Sequence, residues 1–199
     1  MTYIYGASGH GKVILDCLEA NEIEVNGFVD DDAAKNAFMD LPVLRSSEID
    51  DTAVVVFGIG SNEIRKTLSE KFKFNSPLAI HPSAVVSKRA KIEEGTVVFH
   101  NAVVQAGSTI GKQCIINTRA SVDHDCVIGD YVHVSPGVTL CGNVNIGDGS
   151  WIGAGSTIIQ GVTVGKNVMV GAGSLIRKSV PDNVMVVGNP AKVMRKLKR

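Results

Sequence analysis

From Ile80 to Ile176 every sixth residue is Val, Ile or Leu, seventeen positions without a break. Those residue types would fill only about 5 of the seventeen by chance. Four positions after each of them lies a second column of small or branched residues, among them Ala102, Ser108, Cys114, Ala120, Cys126 and Val138. Three positions after each lies another, rich in Gly (95, 107, 137, 149, 155, 161, 173) and Asn (101, 143, 167). Aliphatics at this period predict short strands that turn a branched side chain inward. Gly and Asn supply the positive φ that turns the chain once per hexad. The pattern never reverses, so the strands are parallel, each stacked on the coil below at about 4.8 Å. Three hexads per coil give a triangular prism of 18 residues per turn, five to six coils and about 27 Å tall.

Before residue 80 the pattern changes. Residues 2–5 (TYIY), 25–29 and 53–57 (AVVVF) read as strands. Helices are predicted over 12–21, with Val13, Ile14, Cys17 and Leu18 at helical spacing, and over about 63–71. This order predicts a small Rossmann-like parallel sheet over residues 1–79. Ligands of such sheets sit at the carboxyl ends of the strands, here Gly6–His10, Asp30–Asp31 and Gly58–Asn62. The glycines around Ser8 let backbone approach a phosphate at a helix N-terminus, and an acid some twenty residues on suits a ribose hydroxyl. The region is too short for two mononucleotide halves, so one nucleotide fits better than a dinucleotide. The same glycines also suit tight strand–helix packing.

Composition narrows the function. Lys plus Arg and Asp plus Glu are 20 each, but the charge is divided. Residues 1–79 carry 7 basic and 13 acidic groups; residues 80–199 carry 13 and 7. The basic end (Lys192, Arg195, Lys196, Lys198, Arg199) suits a phosphorylated ligand or a solvated tail. Aromatic content of 5% disfavours a base-stacking nucleic-acid platform. No apolar run reaches membrane-span length and the N-terminus lacks signal-peptide layout, so no membrane partner and a cytoplasmic location are expected. Four cysteines without CxxC spacing fit a reducing compartment.

Among five histidines, His124 is set apart. It falls at a coil corner between the inward residues Val122 and Cys126, flanked by Asp123 and Asp125. An imidazole beside a carboxylate is the arrangement of a general base, although a surface histidine in a loop corner shows the same spacing. Eighteen residues on, and so one coil above, is Gly142, whose missing Cβ leaves room for a ligand and whose N–H could face an oxyanion. Zinc is disfavoured: His100 and His124 fall on different faces, and no third ligand matches them.

The uninterrupted hexads resemble those of the left-handed parallel β-helix acyltransferases, whose winding, trimeric assembly and intersubunit sites the resemblance implies. Tyr3–Gly11 (YIYGASGHG), Phe28–Asp31 (FVDD), Gly60–Arg65 (GSNEIR), His124–Gly129 (HDCVIG) and Gly188–Lys192 (GNPAK) are more specific. They resemble the sugar acetyltransferase family that holds the UDP-4-amino-sugar N-acetyltransferases and the sialic acid O-acetyltransferases. The resemblance implies an α/β Rossmann-like nucleotide-sugar domain (1–79), a left-handed β-helix acyltransferase domain (80–185) and a basic C-terminal tail (186–199).

It implies that Ser8, Gly9 and His10 hold the sugar nucleotide, that Asp30 and Asp31 contact its uridine end, and that Gly60 lines the same cleft. His124 is the implied base and Asp125 its partner, where the aminosugar enzymes carry Glu. His133, Gly142, Ala154 and Ala172 match acetyl-CoA contacts. The implied reaction is direct transfer from acetyl-CoA to the amine of a UDP-4-amino-4,6-dideoxy-N-acetylhexosamine, without metal, in a homotrimer serving glycan biosynthesis. O-acetylation of a sugar hydroxyl is the alternative within enzymes, and a non-catalytic sugar-nucleotide-binding scaffold the alternative outside them.

Overall fold

The computed structural model describes residues 1–50 and 52–197. The N-terminal region is a five-stranded sheet of β1 (Thr2–Tyr5), β2 (Gly27–Val29), β3 (Ala37–Phe38), β4 (Leu41–Leu44) and β5 (Val54–Phe57), in the order β3-β4-β2-β1-β5. All pairings are parallel except β3 with β4. Alternation along β1 divides the sheet's two faces. Ile4 packs with Ile14, Leu18 and Phe28 beneath helix α1 (Gly9–Glu19), and that cluster continues into Val97, Phe99 and Ile115 of the hexad region. Tyr3 and Tyr5 pack on the other face with Val55, Phe57 and Phe74. Helix α2 (Asn62–Lys71) follows β5. The first helix begins three residues earlier than its apolar spacing predicts, because Ser8 takes the N-cap position and the glycines form its first turn.

The hexads form the parallel β-helix that the periodicity predicts. Seventeen two-residue strands run from Ala79–Ile80 to Leu175–Ile176. Each pairs with the strand 18 residues away, as Val103 does with Ser121 and Val85. They build three faces. Face one carries residues 85–86 through 175–176, face two 91–92 through 163–164, and face three 79–80 through 169–170. The predicted aliphatic column is the core, with Val104, Ile116, Val134, Leu140, Ile152 and Ile158 almost fully buried. Each such burial is worth about 1.5–3 kcal/mol relative to exposure. All fourteen residues of the turn column from Gly95 to Gly173 have positive φ. Ten are Gly or Asn; Gln113, Arg119, Asp125 and Tyr131 adopt the same conformation.

The last coil is shorter, with Met169 opposite Met185. Val184–Gly188 then folds back antiparallel on Ala191–Lys196 at the end of face three. The first of these strands runs across the boundary expected at 185/186, and Lys192, Arg195 and Lys196 belong to the second. Lys198 and Arg199 of the basic tail lie outside the described residues.

Candidate active site

His124 stands on the corner between faces one and two. Its Nδ1 lies 2.9 Å from Asp125 Oδ2, and its backbone N–H donates to Asp123 Oδ1 at 2.8 Å. The imidazole side chain is 61% exposed. The hydrogen bond to Asp125, then the charge of Asp123, raise the imidazole pKa above its ordinary value. With Nδ1 on the carboxylate, Nε2 is the ring atom left to take a proton.

Two glycines seat this dyad. A Cβ on Gly142 would stand 2.6 Å from both Cε1 and Nε2 of His124, so the space left by the missing side chain holds the imidazole itself. The expected room for a ligand is thus taken by the ring. The Gly142 N–H makes no hydrogen bond within the described residues. Gly107, one coil below Asp125, has φ +78, and a Cβ there would collide with Asp125 Oδ1. The arithmetic that selected Gly142 (124 plus 18) also yields 107 (125 minus 18), a signal the sequence reading left unused.

In the N-terminal cleft the glycines separate into two kinds. Gly6 (φ +115), Gly11 and Gly58 lie in tight backbone contacts where β1, α1 and β5 meet, so they serve packing. Gly9 and Gly60 have open space where a Cβ would be. Ser8 is exposed, and its side chain makes no capping bond. The first-turn N–H groups of α1 are therefore free to meet an anion. Asp30 braces the glycine-rich turn, accepting from Ala7 N (3.1 Å), Asp32 N (3.1 Å) and Lys35 Nζ (2.7 Å). Asp31 accepts from Tyr5 Oη (2.8 Å) and from Ser46 N (2.8 Å) and Oγ (3.0 Å). These bonds outweigh partial burial and hold both carboxyls below the usual range.

The His10 side chain packs towards face three. Its ring meets Phe99 edge-on at 5.3 Å and lies 6.3 Å from His133. His133 is buried, stacks on Trp151 at 4.9 Å and meets Asn117 Nδ2 through Nε2 at 3.0 Å. Burial, reinforced by the nearby Arg65 charge, pushes His10 down to about 4 and His133 to about 3. His10 Nε2 and His133 Nδ1 are both buried without a partner among the described residues. Such paired orphans mark a place for a water or a ligand group between the two regions.

Sequence reasoning missed the residues that join those regions. Arg65 is 1% exposed. Its guanidinium donates to the carbonyls of Gln113 (2.8 Å), Ile59 (2.8 Å), Gly60 (3.4 Å) and Tyr131 (3.3 Å), and to Asn62 Oδ1 (2.8 Å). Asn62 Nδ2 lies 3.1 Å from the carbonyls of both Gly149 and Ser150. Both side chains sit on the inner face of α2, three residues apart.

The expected site residues do not converge within one chain. The cleft packs against face three and, through Arg65 and Asn62, the corner between faces two and three. His124 and Gly142 occupy the corner between faces one and two, across face two from that junction. Ala154 and Ala172 are exposed on the third corner, and His133 lies on face three. Beside the dyad, a shallow groove of about 220 Å³ runs along face one past Gln105, Asp123, Thr139 and Cys141. Among the described residues no group of three or more His, Cys, Asp or Glu could hold a metal ion, and no helix is long and apolar enough to cross a membrane.

Two family models match the chain: the PglD N-terminal domain over residues 2–72, and the bacterial transferase hexapeptide (six repeats) over 107–142 and 143–178. The acetyltransferase domain of PglB from Neisseria gonorrhoeae, solved with acetyl coenzyme A, is 39% identical with a TM-score of 0.92, covering 97% of this chain and 98% of that one. PerB from Caulobacter crescentus, solved with CoA and GDP-perosamine, is 36% identical with a TM-score of 0.92, covering 98% and 97%. A UDP-N-acetylbacillosamine N-acetyltransferase from Bacillus subtilis is 37% identical over 106 residues, 48% of this chain and about half (49%) of that relative's length. The chain belongs to the hexapeptide-repeat family of acetyl-CoA-dependent sugar N-acetyltransferases.

Proposed function

We propose that this protein transfers the acetyl group of acetyl-CoA to the amine of a nucleotide-linked amino sugar, of the UDP-4-amino-4,6-dideoxy-N-acetylhexosamine type. The observation that carries this reading is the exposed His124–Asp125 pair at 2.9 Å, seated against Gly142. Nε2 of His124 takes a proton from the amine as its nitrogen attacks the thioester carbonyl. The carbonyl oxygen gains negative charge opposite the Gly142 N–H, the carbon–sulfur bond breaks, and CoA leaves as thiolate. Asp125 stabilises the imidazolium that forms. No step calls on a metal or an acyl-cysteine.

The acceptor's phosphates lie at the N-terminus of α1, against Ser8, Gly9 and His10, with Gly60 lining the cleft and Asp30 and Asp31 towards the nucleoside. The dyad and that cleft are on different sides of one prism, so the working site is formed between copies in a homotrimer. The dyad corner of one chain then faces the cleft of its neighbour, which also covers the exposed imidazole. Gly142 on one corner and Ala154 and Ala172 on another form opposite walls for the pantetheine arm only when they come from different chains. Lys192, Arg195 and Lys196 take the CoA phosphates, and His133 backs the site from face three. The protein works in the cytoplasm in this reading.

The test is CoA release from acetyl-CoA with a panel of UDP-amino sugars, GDP-perosamine and free sialic acid. The reading expects release with a UDP-amino sugar. Release with sialic acid alone would replace it by O-acetylation, and no release with any acceptor would remove the enzymatic reading.

A further inference from the structure

Face three turns outward Ala79, Val97, Ile115, His133, Trp151 and Met169, one residue per coil. The first three lie beneath the N-terminal region, and His133 is buried. Trp151, the sole tryptophan of the chain, is the first of this column to reach the surface. Asn62 holds the two carbonyls just before it, so the indole stands where the N-terminal region stops.

The indole is held in place. It stacks on the His133 ring of the coil below at 4.9 Å, with 24° between their planes, and its Nε1–H donates to Ser135 Oγ at 2.8 Å. His133 is itself tied to Asn117 at 3.0 Å, and Asn117 Oδ1 accepts the Thr118 N–H at 2.8 Å. The Ser135 bond draws the N–H edge of the ring towards the corner between faces three and one, the corner that also carries Ala154 and Ala172. Met169, 37% exposed, is the strand neighbour one coil above. A large side chain supported in this way forms a rigid wall, and here it borders small residues.

The inference rests on the shared site proposed above, in which the His124–Gly142 corner of one chain meets the Ala154–Ala172 corner of the next. In a trimer whose axis runs along the prisms, every residue keeps its own level. Strand partners such as His133 and Trp151 are 18 residues and one coil apart. Nine residues are therefore half a coil, about 2.4 Å of height. His133 lies nine residues before Gly142 and Trp151 nine residues after it. The stacked pair of one chain thus straddles the level at which the Gly142 N–H of the next meets the thioester carbonyl. We propose that Trp151 closes the acyl end of the acetyl-CoA site across the subunit boundary and selects acetyl over longer acyl groups. The acetyl methyl fits against the indole. Each further methylene must displace a ring that His133 and Ser135 hold in place. Trp151 moves no proton and sets specificity alone.

The test compares acetyl-CoA with butanoyl-CoA as donors to the amino-sugar acceptor that the wild type uses. The wild type should prefer acetyl-CoA by about tenfold or more in kcat/KM. Trp151→Ala should erase that preference, and Trp151→Phe, which keeps a ring on His133, should retain most of it. The ratio is taken within one preparation, so a loss of folded protein does not move it. A preference that survives unchanged in Trp151→Ala, or is absent from the wild type, overturns the proposal. A wild type that acetylates no acceptor fails the functional reading instead. The placement is then decided by the emission of the sole tryptophan, which should change as acetyl-CoA binds by calorimetry. No binding, or unchanged emission at saturation, overturns it.

Discussion

At His124 the local charge sets the sign of the pH dependence. Asp125 and Asp123 raise the imidazole pKa, and a general base works only when unprotonated. Activity should therefore rise with pH through that raised value, giving an acid limb in kcat/KM. Asp125→Asn removes the main cause, so the limb should move to lower pH while kcat falls. A limb that stays in place in the variant would detach Asp125 from the base. His124→Ala should lower kcat by about 10²–10⁴ and leave CoA affinity intact by calorimetry; a folded variant with full activity contradicts the mechanism. The dyad was legible because hexad arithmetic puts residue 124 at a corner with acids on either side. Gly142 was legible as a position but not in its use, because arithmetic does not show which way a ring leans. His10 was legible only as a member of a motif, and His133 only as a position matched through the family resemblance. That they meet across the junction depends on how the two regions dock, which no local pattern carries.

Among the elements, the coil corners hold most of the dyad's positional information. Gly107→Ala puts a Cβ at φ +78 against Asp125 Oδ1. It should cost on the order of 1 kcal/mol in stability and shift the acid limb of kcat/KM, because the carboxylate is displaced. Lost stability with an unmoved limb would make Gly107 a turn residue only. Helix α2 makes the other decisive contact. Arg65→Met removes a guanidinium that serves carbonyls on both regions, leaving buried acceptors unpaired. It should cost about 3 kcal/mol in a urea titration; a loss under 1 kcal/mol would show that the carbonyls find water. The hexad strands were readable almost to the residue because their period is short and unbroken. The β3–β4 hairpin was not read. Its two turn residues, Met39 (φ 52) and Asp40 (φ 61), adopt the left-handed conformation without the Asn-Gly or Asp-Gly signature that announces such a turn.

Over the whole molecule, the two regions meet on two neutral histidines, His133 buried and His10 partly so, and this couples stability to acid. His10 and His133 titrate at about 4 and about 3 when folded, below their ordinary 6.5. Between those values the unfolded chain binds more protons, so their contribution is complete above pH 6.5 and falls as pH drops towards the folded values. At pH 5 the loss is on the order of 2 kcal/mol per ring. Urea midpoints at pH 7.5 and pH 5 should show it, and His10→Gln should remove about half; equal midpoints in the wild type would place both rings in solvent. The same docking puts the cleft and the dyad on different sides of one prism, and so makes a shared site the central claim. The direct measurement is complementation: His124→Ala and Gly9→Trp chains, each inactive alone, are co-expressed so that they assemble together, and acetyl transfer is assayed. A site made by the His124 of one chain and the cleft of another predicts recovery of about a quarter of wild-type activity from random mixing. Mixed assemblies with no more activity than either parent would contradict it.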